Sequence, residues 1–154
     1  MNGMDRTRSP HVKLQEFVDC FLETNHKKEL EDFSSPRLAR PTREDLPGEA
    51  LRYLAILLLY GLSEGAKDIS LIRKEPDKAL CRMSGDKFYD IPAPKEEVVV
   101  SLFDEIEEMA GISATKTDGK LILGLKDGEI ELKISSTLTD AGEGKILIRL
   151  PGLA

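Results

Sequence analysis

The chain has 154 residues, of which 40% are hydrophobic and 32% charged, and its formal net charge is −6. That length suits one domain, able to bury roughly two-thirds of its unfolded surface. The acidic balance is spread over both halves, which excludes non-specific nucleic-acid binding and attraction to anionic membranes.

The opening "MNGMDRTRSP" is polar with no apolar run behind it, so it is not a signal peptide. The most apolar stretch, "YLAILLLYGL" at 53–62, is shorter than the roughly 20 residues a membrane span needs. A cytoplasmic protein without direct membrane insertion is expected. The two cysteines, Cys20 and Cys81, have no Cys or His neighbour at metal spacing and are expected as buried or half-buried free thiols.

In chain order, "VKLQEFVDCFLETN" sets Val12, Leu14, Phe17, Val18, Phe21 and Leu22 at helical spacing, opposite Gln15, Glu16, Asp19 and Glu23. This predicts an amphipathic helix, which "KKELEDF" extends or follows with a second short turn. "SSPRLARPTREDLPGEA" carries Pro36, Pro41 and Pro47 and reads as an irregular connector. The division drawn from it is residues 1–47, an amphipathic helix and connector, and residues 48–154, an α+β domain. The next helix, through "GEALRYLAILLLYGLSEG", is apolar on nearly every side and should be surrounded by protein, with Gly65 placed to stop it.

The pattern then changes to period two. "AKDISLIRK" predicts a strand, and "KALCRM-SGD-KFYDI" two short strands around a turn. "PAPKEEVVVSLFDEIEEMAGI" predicts a third helix that buries Val99, Leu102, Phe103, Ile106 and Ala110. In "KLILGLKDGEIELKIS" an Asp127-Gly128 turn separates two alternating runs. A two-residue loop there pairs Leu125 with Ile130, Leu123 with Leu132 and Leu121 with Ile134, all on one face. "KILIRL" adds a strand with Ile146, Ile148 and Leu150 inward. The fold class is α+β, an antiparallel sheet with helices packed on one face.

No catalytic motif stands out. His11 and His26 are not spaced for a metal and read as surface residues, and no elbow motif places a nucleophile against a base. "GLSEGAKD" at 61–68 is one residue short of a phosphate loop and follows a helix, so Gly61 and Gly65 read as a helix end. "GEGK" at 142–145 reads as a tight turn before a strand. Asp104, Glu105, Glu107 and Glu108 alternate with an apolar stripe, as on a solvated helix face. No catalytic residue, metal ligand or cofactor is expected.

The order and wording of residues 51–150 resemble one family. A helix ending in Gly and Ala leads to "AKDISLIRKEP", two short strands, "EEVVVSLFDEIEEMAGI", "DGK" and "IELKISSTL…GE…KILIRL". The stretch is similar to the domain preceding the P-loop core in type II secretion and type IV pilus assembly ATPases. The resemblance implies a PAS-like fold joined by a linker to an ATPase core, and hence a chain that stops at that linker. It also implies that side chains of these stretches approach nucleotide phosphates held by the core.

Three departures bear on that role. The family's "ASDIHIEP" reads "AKDISLIRKEP", with Ser70 in place of His. Its "RRPQDGR" reads "TKTDGK", with Lys120 for the last Arg, and its "LRVST" reads "LKISST", with Lys133 for Arg. Lysine keeps the charge but loses the planar fork that clamps a phosphate. The expectation is a non-catalytic protein-interaction or regulatory domain, whose partner is the secretion or pilus machinery or a P-loop ATPase. The alternative is a nucleotide- or small-ligand-responsive regulator, with Lys116, Lys120, Lys133 and Arg149 approaching an anion, or a subunit that completes an ATPase in trans.

Overall fold

The first helix opens on a proline, tolerated there because the first N–H groups of a helix have no internal partner. This helix, α1 (Pro10–Phe21), is followed by α2 (His26–Phe33) and α3 (Leu46–Ser63). The computed structural model describes residues 10–33, 46–74, 78–85, 88–91, 96–113, 115–125, 128–138 and 144–151. Most of the proline-rich connector lies outside them. Its last proline, Pro47, falls in the first turn of α3.

Helix α3 is the hub. Ten of its residues are buried, among them the unbroken run from Tyr53 to Leu59. It stops as its sequence requires. Gly65 takes a φ of 71°, and Ala66 N–H donates to the Gly61 carbonyl while Gly65 N–H donates to Leu62. Leu14 and Val18 of α1 and Leu30 of α2 join the same buried cluster as α3 and the sheet. The Arg52 guanidinium lies 5.4 Å from the centre of the Phe21 ring, a further tie between α1 and α3.

The strands are β1 (Asp68–Lys74), β2 (Lys78–Ser84) and β3 (Phe88–Ile91), then β4 (Asp118–Leu125), β5 (Gly128–Leu138) and β6 (Gly144–Arg149). Helix α4 (Glu96–Ala110) stands between the two groups. All six strands form one antiparallel sheet in the order β3-β2-β1-β6-β5-β4. Ile69, Leu71, Cys81, Met83, Leu121, Leu123, Leu132, Ile134, Ile146 and Ile148 turn to one face and are buried. The helices cover that face, as the predicted α+β class requires. Among the described residues, no helix is long and apolar enough to cross a membrane.

The hairpin register differs from the expected one. Leu125 pairs with Gly128, Leu123 with Ile130 and Leu121 with Leu132, so the loop is Lys126-Asp127, one position earlier. The shift moves each partner by two residues, and side chains alternate with a period of two. The six apolar residues therefore stay on one face although every pairing changes. Gly128 opens β5 with a φ of 140°, a conformation that favours glycine.

Two other expectations are corrected. Val12 is 47% exposed, because α1 lies at the margin of the sheet and that flank of the helix looks outward. Cys20 is exposed while Cys81 is buried, both as free thiols. His11 is exposed, as expected of a surface residue, and its Nε2 meets the Ile122 carbonyl; His26 is half-buried, with its Nε2 2.8 Å from the Phe21 carbonyl.

Candidate anion site

Helix α4 ends in a glycine-capped turn. Gly111 has a φ of 71°, its N–H donates to Glu108, and Ile112 N–H donates to Glu107 at 2.8 Å. A tight reversal follows, in which Ser113 N–H donates to the Lys116 carbonyl and Lys116 N–H returns to Ser113. Thr117 then accepts from Ser136 N–H at 2.8 Å, which fixes the start of β4 against β5. Lys116 is thus held beside the first residues of β4.

There β4 passes very close to the helix end. A Cβ on residue 119 would collide with the Ala110 carbonyl, and Gly119 alone permits the approach. Its neighbours Asp118 and Lys120 point to the opposite face, away from the helices.

The register places Lys120 directly across from Lys133, and Lys133 directly across from Arg149. Adjacent strands lie about 4.8 Å apart, so three cations stand in a row over about 10 Å. In the register read from the sequence, Lys120 would instead face Ser135. The row continues to Asp68, opposite Arg149, whose carboxylate accepts a hydrogen bond from Ser84 Oγ.

These groups line one open cleft of about 640 Å³: Lys116, Lys120, Lys133 and Arg149, with Asp118 and Ser135 beside them. The four candidates named from the sequence are therefore brought together. Sequence reasoning noted Asp118-Gly119 only as the retained part of the family's stretch, and named neither them nor Ser135 as site residues. The alternation of β4 carries the signal for Asp118, since it shares the face of Lys120. Ser70, at the family's His position, lies on β1 opposite Arg82 and Leu147.

Like charges directly opposite one another on a sheet destabilise it, each pair by up to about 1 kcal/mol. Four exposed cations against Asp118, with Asp68 facing Arg149, make this cleft locally positive in a chain of net charge −6. Such a concavity draws anions, and its lysines are three-donor point charges suited to phosphate or carboxylate oxygens.

Other titratable groups lie elsewhere. Tyr53 Oη donates to Cys81 Sγ at 3.3 Å inside the core, and burial pushes the Cys81 thiol up to about 11. Among the described residues no group of three or more His, Cys, Asp or Glu is arranged to hold a metal ion. Comparison with known protein families finds none that matches this chain, and comparison with curated proteins finds no match.

Proposed function

We propose that this chain is a non-catalytic regulatory domain whose cleft takes the phosphates of a nucleotide. The observation that carries the reading is the Lys120–Lys133–Arg149 row with Lys116 beside it, four cations on one cleft. An anionic ligand relieves the repulsion within that row, so binding and stability are coupled.

The resemblance to the PAS-like domain of secretion and pilus ATPases supports phosphate as the anion and a P-loop protein as the partner that presents it. In this reading Lys120 and Lys133 serve where that family has arginines. The domain acts on its partner's nucleotide without performing the hydrolysis.

The test is nucleotide binding followed by fluorescence or calorimetry at low salt. Replacing Lys120 and Lys133 together by Ala should weaken binding by roughly tenfold or more, at about 1.4 kcal/mol per tenfold. Binding should also fall steeply as salt rises. Affinity unchanged in the double variant, or no binding by the wild type, sinks the reading. Mixed with a P-loop ATPase partner, the wild type should raise its hydrolysis rate and the double variant should not.

A further inference from the structure

The outer face of the β4–β5 ribbon is graded in charge. Near the hairpin it carries Glu129 and Glu131, opposite Gly124 and Ile122; further along it carries Lys133 opposite Lys120. Between the two ends stands an apolar patch. Val12 and Ile122, at 47% and 45% exposure, are the exposed large hydrophobics among the described residues. They meet in a groove of about 530 Å³ that also takes in Gly124 and Glu129.

The groove has firm walls. Helix α1 runs along β4, His11 reaching the Ile122 carbonyl and Gln15 clasping Gly124 through both its N–H and its carbonyl. Four residues of helix advance about 6 Å and two residues of strand about 6.6 Å, so the contacts at 11 and 15 match those at 122 and 124. Apart from α1 at this margin, the helices among the described residues pack on the other face of the sheet and leave the patch exposed.

We propose that a second copy of this chain covers it, outer face to outer face, about a two-fold axis crossing the strands at the level of Ile122. Such an axis reverses strand direction. Ile122 and Val12 then meet their own counterparts on the axis, as does Glu131, which lies directly opposite Ile122. Lys133 stands over Glu129 of the second copy, and Lys120 extends past its Gly124, alongside the Gln15 side chain that clasps it, toward the same glutamate. Both contacts occur twice, because a two-fold interface is self-complementary. A basic segment from another protein would satisfy Glu129 and Glu131 and leave the lysines unmatched. A second copy sets Lys133 and Lys120 against Glu129 at both ends of the interface, and only Glu131 faces its own counterpart.

The dimer is independent of the nucleotide reading but shares Lys120 and Lys133 with it, so its test is made without nucleotide or phosphate. Sedimentation velocity over a concentration series at low salt would compare four samples. These are the wild type, Lys120→Glu/Lys133→Glu, Glu129→Lys/Glu131→Lys, and an equimolar mixture of the two variants. The wild type should dimerise, roughly tenfold more weakly at physiological than at low salt. Each charge-reversed variant should be monomeric, and the mixture should form a heterodimer, since it pairs an acidic ribbon with a basic one. Ile122→Ser, a change at an exposed position that leaves the core intact, should weaken the wild-type dimer. A wild type that stays monomeric, or variants that dimerise as it does, overturns the proposal. Nucleotide binding by a monomeric wild type would leave the phosphate reading standing alone.

Discussion

A single hydrogen atom at position 119 decides how closely β4 passes the end of α4. Gly119→Ala sets a Cβ against the Ala110 carbonyl, which is backbone and cannot swing aside. The variant should lose roughly 1–3 kcal/mol in denaturant unfolding. The Tyr53–Cys81 pair gives a residue-scale prediction in pH. Burial raises the Cys81 thiol from 9.0 to about 11, so the folded chain holds a proton that the unfolded chain releases earlier. This contribution is complete below pH 9 and is lost between pH 9 and 11, and stability should decline across that window. With Cys20 exposed and Cys81 buried, a thiol reagent near neutral pH should label one cysteine in the folded chain and both in denaturant. Glu105 shows where the reading of a solvated acidic face is incomplete. Partial burial, then repulsion from Glu108, raises its carboxyl above 4.5, while Lys13 of α1 pulls the other way. Its charge therefore opposes folding at neutral pH. Glu105→Gln should raise the melting temperature at pH 7 and have little effect at pH 4, where the carboxyl is largely protonated in both states.

Among the elements, α1 depends on a contact that no periodicity announces. The Gln15 side-chain amide accepts from Gly124 N–H at 2.7 Å and donates to the Gly124 carbonyl at 2.8 Å, as a neighbouring strand would do. Edge strands left open invite pairing with other chains, and here a helix supplies the missing partner. Gln15→Ala should cost about 1–3 kcal/mol and accelerate hydrogen exchange at the Gly124 amide more than at its neighbours. The element pattern itself was legible. Strand alternation marked the inward residues of β4, β5 and β6, and the apolar surround of α3 marked it as buried. The hairpin pairing was not, because alternation defines a face and leaves registers two residues apart equally good. The turn makes that choice, and the glycine with positive φ serves as the first residue of β5. Val12 was misread for a related reason: helical spacing gives a stripe but not its width, and the margin of the sheet narrows the buried stripe of α1 to Leu14 and Val18.

On the scale of the whole molecule, the cleft is a product of strand order. Arg149 reaches Lys133 because β6 lies between β5 and β1, a placement no local pattern encodes. The four cations could be named one by one from the sequence, yet only the register and the order of the sheet bring them together. The same order joins two three-stranded meanders. The first runs outward from the middle of the sheet and the second runs inward toward it, and they meet in the sheet along a single seam, β1 against β6. Each meander is continuous in sequence, and one connection, from β3 into α4, links them. The chain is therefore divisible. Two fragments, cut between β3 and α4 and expressed separately, should reassemble along that seam and recover the native amide spectrum on mixing. The break would cost chiefly the chain entropy that the connection saves.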